Sequence, residues 1–224
     1  MTIRMQDLLA AHPALAVCQD DIEAARDLII RTYEHGGRLL LCGNGGSSAD
    51  CDHITGELLK GFLSHRPLSE ADCIALVDAL PEGESDPDLY LLAGQLQGGL
   101  PALSLPSQTA LISAFANDVD PSLVYAQLVW AQGKTGDLLI CLSTSGNSKN
   151  VVLAAKAARA KGLFTLALTG ENESELSRLC DVTVQAPSDE TYRVQEYHLP
   201  IYHYLCAAAE EYFFPDAEEE LIEQ

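Results

Sequence analysis

Five short apolar runs, separated by stretches long enough to form helices, constrain the fold more than any other feature of the chain. In order, they cover residues 38–42, 102–105, 138–142, 164–168 and 182–184. Strands buried on both faces of a sheet have continuous apolar runs of this length, and intervening helices let such strands pair in parallel. The pattern predicts an α/β fold with a five-stranded parallel sheet wrapped by helices.

The segments outside the strand pattern predict added helices and one insertion. Residues from about 5 to 34 carry apolar side chains at helical spacing, interrupted at Pro13, and should cover the sheet or a partner subunit. An acidic cluster with prolines and glycine opens a departure at about 78–99, which we interpret as an insertion within about 63–100. A solvated surface loop with a short helix is the alternative reading of this insertion. With 224 residues, we expect a single domain over 1–224.

Charge and cysteine content narrow the partners and the compartment. The net charge is −20, from 33 acidic against 13 basic residues, which disfavours nucleic acids and anionic membrane surfaces. The seven cysteines are scattered without a C-x-x-C pair, as expected for reduced thiols in the cytoplasm. No apolar stretch approaches the roughly 20 residues that span a bilayer. We therefore expect a soluble cytoplasmic protein.

Two polar loops follow predicted strands and favour a phosphate ligand. The segments 43–48 and 143–148 are rich in Gly, Ser, Thr and Asn, and each precedes a predicted helix. Hydroxyls and helix N-terminal amides at the carboxyl ends of parallel strands can hold a phosphate without lysines. Ordinary helix capping would select the same residue types. The first loop has Ser48 where a dinucleotide fingerprint needs its third glycine, and there is no Walker A sequence, so a nucleotide cofactor is not expected.

Two pairs of polar residues near these loops have spacings that suit metal binding or acid/base chemistry. His53 and Glu57 are four residues apart and share one face of a predicted helix. Gln195 and His203 lie about two helical turns apart, with Pro200 between them as a predicted kink that could aim His203. The alternative for His53 and Glu57 is a hydrogen bond or ion pair on the protein surface. The alternative for Gln195 and His203 is a helix whose buried polar side chains form hydrogen bonds with nearby groups.

Seven ordered motifs together resemble the phosphoheptose isomerases of the sugar-isomerase (SIS) family. They are Gly43–Ser47, His53-x-x-x-Glu57, Asn117-Asp118, Gly136-Asp137, Ser143–Ser148, Leu168–Gly170 and Arg193-Val194-Gln195-Glu196-x-His198. The resemblance covers nearly the whole chain outside about 63–100. It implies a three-layer αβα sandwich and interconversion of sedoheptulose 7-phosphate with a heptose 7-phosphate. It also implies a homotetramer with sites between subunits.

The resemblance assigns roles to individual residues. Glu57 and His203 match the acid/base pair that moves a proton between adjacent carbons through an enediol(ate). His53, Glu57, Gln195 and His203 match the positions that bind zinc in some members, which makes zinc or another divalent metal an expected ligand. The expected substrate- and phosphate-binding positions are Asn44, Gly45, Ser47, Ser143, Thr144, Ser145, Ser148 and Gln195.

Two departures from the family pattern bear on the substrate, and one alternative function stays open. Gln108 stands where the family usually has Asp, and Gly61, beside Lys60, where it usually has Arg. The alternative is a non-catalytic sugar-phosphate-binding or replication-initiator-associating protein of the same family. The initiator-binding paralogue lacks the equivalents of Glu57 and His203, so their presence favours an enzyme.

Overall fold

A computed structural model describes residues 3–79 and 86–215. Its centre is a five-stranded, fully parallel sheet with strand order β2-β1-β3-β4-β5. The strands are β1 (Leu39–Gly43), β2 (Ala102–Ser104), β3 (Leu138–Leu142), β4 (Phe164–Thr169) and β5 (Val182–Gln185). All five predicted strands are confirmed. The order reverses between β1 and β3, the kind of switch point where open α/β sheets bind ligands.

Ten α-helices and two short 3₁₀ helices complete the part of the chain that the structure describes. The α-helices are α1 (Met5–Ala11), α2 (Gln19–Glu34), α3 (Gly46–Leu59), α4 (Glu70–Asp78), α5 (Pro87–Gln95), α6 (Thr109–Asp118), α7 (Val124–Gln132), α8 (Lys149–Ala160), α9 (Glu175–Leu179) and α10 (Thr191–Phe213). The 3₁₀ helices are Pro13–Cys18 and Pro121–Leu123. The predicted N-terminal helices and their interruption at Pro13 are confirmed. The helix α10 continues through Pro200 without a break.

The sheet separates two apolar cores, which gives the three layers. Side chains of a strand alternate between its faces, so Leu39 and Leu41 enter one core while Leu40 and Cys42 enter the other. Helices α2, α3 and α10 cover the first face, and α7 and α8 cover the second. Because both faces are covered, the strands are apolar throughout, as the sequence pattern indicates.

The insertion forms a helical hairpin, α4 and α5, that stands apart from both cores. Ser69 caps α4 by accepting a hydrogen bond from the Asp72 amide, and Pro87 opens α5. Neither helix contains a buried residue. The base of the hairpin is closed by an antiparallel bridge between Pro67 and Gln97. The acidic cluster of the sequence falls largely on residues 80–85, which lie outside the described residues.

A buried ion pair ties the segment after α3 to the end of α10. Arg66 is 0% exposed and Glu210 is 3% exposed, and the guanidinium Nε donates to Glu210 Oε1 at 2.7 Å. The amides of Phe62, Leu63 and Ser64 also donate to the two carboxylate oxygens. These contacts hold the chain directly after α3 in a fixed position.

Candidate active site

The two polar loops meet at the switch point of the sheet. The side-chain amides of Asn44 and Asn150 exchange two hydrogen bonds of 2.9 Å, which join the loop after β1 to the first turn of α8. The loop after β4 joins them, because the Gly170 amide donates to the Thr144 carbonyl at 2.9 Å. The ends of three strands are therefore joined at one edge of the sheet.

The loop after β3 is built around hydroxyls and one left-handed glycine. Ser143 is 4% exposed, and its hydroxyl lies 3.1 Å from that of Ser148, which caps α8. Ser145 Oγ accepts from the Asn147 amide at 3.2 Å. Gly146 has φ of +63° and sits directly against the Ser174 hydroxyl, so a side chain here would collide. This packing fixes the turn that presents Thr144 and Ser145.

Both helices that start at these loops favour an anion. The first-turn amides of a helix have no partner within the helix, and the helix dipole makes this end positive. In a chain of net charge −20, neither α3 nor α8 has an acidic residue in its first turn. A phosphate at the switch point would therefore find amide and hydroxyl donors without carboxylate repulsion.

Gln195 lies beside the first polar loop in the folded chain. A Cβ added to Gly46 would lie 2.5 Å from Gln195 Nε2, so the amide group of Gln195 rests on the start of α3. Ser47, one residue further along α3, is 3% exposed. Gln195 and His203 are separated by about 12 Å of helical rise along α10. The structure thus places the Gln195 amide group beside Gly46, at the start of α3.

His53 and Glu57 lie further along α3 and form a partly exposed polar cluster with Lys60. His53 Nε2 is 3.1 Å from Glu57 Oε1, and Lys60 Nζ is 3.1 Å from Glu57 Oε2. Glu57 is 15% exposed and His53 is 42% exposed. The Glu57 carboxylate is therefore largely covered, with one oxygen towards each partner.

His203 completes this cluster from α10. Its ring is 5.1 Å from that of His53, nearly perpendicular to it, and 5.5 Å from the ring of Phe62. Burial, reinforced by His53, lowers the pKa of His203 below its ordinary value, while Glu57 acts in the opposite direction. A neutral imidazole at physiological pH has one donor and one acceptor nitrogen, and both are useful for proton transfer.

The donor set of the cluster suits a divalent cation of the zinc type, which takes imidazole nitrogen and carboxylate oxygen. His203 Nε2 is buried and has no hydrogen-bond partner among the described residues, as expected of a nitrogen that awaits a ligand. Among the same residues, no group of three or more His, Cys, Asp or Glu side chains is gathered closely enough to hold a metal as they stand. The predicted ligands are His53, Glu57, Gln195 and His203; the structure brings the first, second and fourth together and rests the amide group of Gln195 on Gly46.

The structure describes the surroundings of both departures from the family pattern. Gly61 leaves no space for a side chain, because a Cβ would collide with the Ser64 carbonyl oxygen, and its amide donates to Gln97 Oε1 at 2.7 Å. The end of the inserted hairpin thus occupies the space beside Gly61. Gln108 precedes α6, and its amide donates to the Leu105 carbonyl at 3.1 Å.

Sequence reasoning missed two residues that contact the cluster. Tyr202 is 2% exposed, and its hydroxyl lies 2.9 Å from His53 Nδ1 and 3.3 Å from Asp50 Oδ1. Burial, followed by the charge of Asp50, raises the pKa of Tyr202 above its ordinary value. Asp50 lies three residues before His53 on the same helix, a spacing that could have indicated it. Tyr202 carries no such signal, because its partners are about 150 residues away.

Comparisons with known proteins agree with this architecture. Residues 10–85 and 110–206 each match a model of the SIS domain. The chain is 35% identical over 193 residues to the phosphoheptose isomerase of Aneurinibacillus thermoaerophilus, covering 86% of this chain and 82% of that protein. It is 37% identical over 179 residues to that of Desulfovibrio desulfuricans, covering 80% and 70%.

Two solved structures of phosphoheptose isomerases share the fold of this chain. The phosphoheptose isomerase of Neisseria gonorrhoeae superposes with a TM-score of 0.70 at 27% identity, covering 93% of this chain and 100% of that one. The enzyme from Francisella tularensis superposes with a TM-score of 0.72 at 27% identity, covering 90% and 91%. Sequence motifs, sheet order and relatives together place the chain in the phosphoheptose isomerase family of SIS-domain proteins.

Proposed function

We propose that this protein is an aldose–ketose isomerase that interconverts sedoheptulose 7-phosphate and D-glycero-D-manno-heptose 7-phosphate. The observation that carries the proposal is that His53, Glu57 and His203 form a cluster further along α3 and α10 than the two polar loops. A sugar phosphate anchored at the switch point would extend its carbonyl end towards this cluster. The relatives at 35% and 37% identity support the same reaction.

The chemistry follows from the two titratable groups. The Glu57 carboxylate takes the proton from the carbon next to the carbonyl while His203 gives a proton to the carbonyl oxygen, which yields an enediol. Glu57 then returns its proton to the adjacent carbon, and His203 recovers a proton from the other hydroxyl. The substrate is isomerised, and both residues end in their starting states.

We assign two sets of residues to the phosphate end of the ligand and two positions to its sugar end. Asn44, Gly45, Ser47 and Gln195 belong to the first loop or contact its helix. Ser143, Thr144, Ser145 and Ser148 belong to the second loop. We assign the phosphate to these two sets, because amides and hydroxyls of two adjacent strand ends can share its three oxygens. Gly61 and Gln108 would lie towards the sugar and tune which phosphosugar is accepted.

Replacing Glu57 with glutamine tests this function. E57Q keeps the size of the side chain and removes its basic oxygen, so we expect kcat on sedoheptulose 7-phosphate to fall by about 10²–10⁴-fold. Glu175→Gln is the matched control. Glu175 is an exposed carboxylate outside the cluster, and its Oε2 is 3.4 Å from Lys156 Nζ. Activity of E57Q within threefold of the control would refute the assignment of Glu57.

A divalent metal of the zinc type is part of the proposal. Bound by His53, Glu57, Gln195 and His203, it would polarise the substrate carbonyl or hydroxyl as a Lewis acid. The nitrogens offered to the metal are His53 Nε2 and His203 Nε2, the second of which has no hydrogen-bond partner within residues 3–79 and 86–215. Dialysis against a chelator, followed by metal analysis and assay with and without added zinc, measures whether the activity depends on it.

The assembly and compartment are proposed as a homotetramer in the cytoplasm with sites at subunit interfaces. Exposed apolar side chains support an oligomer, among them Val17 at 79% and Trp130 at 57% exposure. All seven cysteines are free thiols, which fits a reducing compartment. No helix among the described residues is long and apolar enough to cross a membrane. Light scattering at micromolar concentration tests the tetramer, and a monomer would overturn it.

A further inference from the structure

Behind His53, on the side away from Glu57, a short chain of hydrogen bonds runs into the protein. His53 Nδ1 is 2.9 Å from the Tyr202 hydroxyl, and that hydroxyl is 3.3 Å from Asp50 Oδ1. Tyr202 is 2% exposed, so water does not replace these partners readily. The three side chains form a relay, Asp50–Tyr202–His53, that nothing in the isomerase chemistry above requires.

The relay has a direction, because each oxygen or nitrogen can be assigned as donor or acceptor. An ionised carboxylate only accepts, and a tyrosine hydroxyl has a single proton to donate. The Tyr202 hydroxyl donates to Asp50 Oδ1, while Asp50 Oδ2 is buried without a partner among the described residues. The hydroxyl oxygen is then the acceptor for His53, which must carry a proton on Nδ1.

A proton on Nδ1 determines what the other face of the ring presents. In the neutral ring, Nε2 then holds a lone pair, and it is 3.1 Å from Glu57 Oε1, which is also an acceptor. Two acceptors at this distance repel each other unless a positive charge lies between or beside them. Glu57 has Lys60 only at its other oxygen, Oε2. The gap between His53 Nε2 and Glu57 Oε1 is therefore prepared for a cation.

We propose that Tyr202, held by Asp50, is a positioning residue that fixes the Nδ1–H tautomer of His53 and so directs its Nε2 lone pair towards Glu57. This inference deepens the proposed function, because the same lone pair is the one His53 would give to a metal at the site. A partner on the remaining ring nitrogen of a metal-binding histidine fixes its orientation and raises its basicity. Here that partner is a tyrosine on α10, one residue before His203.

The test reads the tautomer directly in the protein without metal or substrate. Proton–nitrogen correlation spectra of ¹⁵N-histidine protein, treated with a chelator at pH 8, distinguish a protonated from an unprotonated ring nitrogen. His53→Gln identifies the His53 signals. We expect protonated Nδ1 and unprotonated Nε2 in the wild type, and loss of this preference in Tyr202→Phe. Tyr204→Phe is the matched control, because Tyr204 is 3% exposed on the same helix and its hydroxyl contacts Arg26 instead.

Zinc titration by calorimetry gives a second readout. The outer partners of metal ligands typically contribute about 10–100-fold in affinity, so Y202F should bind zinc weaker by that factor while Y204F should not. A wild-type His53 with its proton on Nε2 would overturn the proposal, as would an unchanged tautomer in Y202F. The wild-type spectrum alone can give the first result, even if Y202F fails to fold. Because no substrate is present, these outcomes are independent of whether E57Q loses isomerase activity.

Discussion

Replacing Glu210 with glutamine should destabilise the whole fold, although Glu210 has no part in the proposed reaction. The carboxylate accepts four hydrogen bonds, from the Arg66 guanidinium and from the amides of Phe62, Leu63 and Ser64. Burial alone would raise the pKa of Glu210, but these amides and Arg66 outweigh it and hold the pKa below the ordinary value. The folded state thus depends on the ionised form.

The magnitude follows from what glutamine cannot supply. Its NH₂ group must face either the Leu63 and Ser64 amides, which are donors, or the Phe62 amide and the guanidinium, which are donors too. Arg66, 0% exposed, loses its counter-charge in both orientations, and in the second one it keeps only the carbonyls of Leu58 and Glu57 among the contacts described. Removing one partner of a buried ion pair costs about 3–5 kcal/mol, and we expect E210Q to lie in that range.

Urea denaturation of E210Q, monitored by circular dichroism, measures the change in the free energy of unfolding. Glu173→Gln is the control, because the Glu173–Arg178 pair is exposed and should contribute less than about 1 kcal/mol. The lowered pKa adds a pH signature: the stabilisation from Glu210 is present above its ordinary pKa of 4.5 and is lost as the pH falls through the folded value. A cost for E210Q no larger than the control's would refute this reasoning.

Two further predictions concern other parts of the fold. Burial lowers the pKa of His198 from 6.5 to about 4, so the unfolded chain binds this proton at a higher pH than the folded chain. The free energy of unfolding should therefore fall by about 3 kcal/mol as the pH is lowered between these values. Denaturation at several pH values checks this, and His198→Gln should flatten that part of the pH profile. Gly146→Ala should weaken sugar-phosphate binding at least tenfold, because a Cβ at φ +63° meets Ser174. Thermal-shift titration checks this against the control Gly94→Ala, where a Cβ would enter open space. Equal affinities of the two variants would contradict the prediction.

The layers of the fold were predictable because they depend on local patterns. Every apolar run that predicts a strand is a strand, since a sheet covered on both faces requires continuous apolar sequence. The helix predicted after the second polar loop is observed as Lys149–Ala160, with Ser148 at its N-cap position. The helix α4 was not predicted: it lies in the insertion and buries none of its residues, so it lacks the amphipathic pattern that identifies helices.

The candidate site was predictable in its residue types and only partly in its arrangement. His53 and Glu57 are neighbours because helical spacing alone brings them together. The contacts of Tyr202 with His53 and of Arg66 with Glu210 join residues 149 and 144 positions apart, and no local pattern encodes such pairs. Gln195 matches a family motif, yet its position at Gly46 depends on how α10 lies along α3, which spacing within α10 does not determine.

The closed base of the inserted hairpin makes this region a natural site for rearrangement by evolution or by engineering. The Gly98 amide donates to the Arg66 carbonyl at 2.8 Å, and Pro67 pairs with Gln97, so the chain leaves and re-enters the body at nearly the same point. A segment with adjacent ends can be shortened, exchanged or replaced by a guest domain without stretching the sheet behind it. The same base contacts Gly61, which is next to Lys60. We therefore expect the folding or ligand binding of a guest domain placed here to alter the proposed active site.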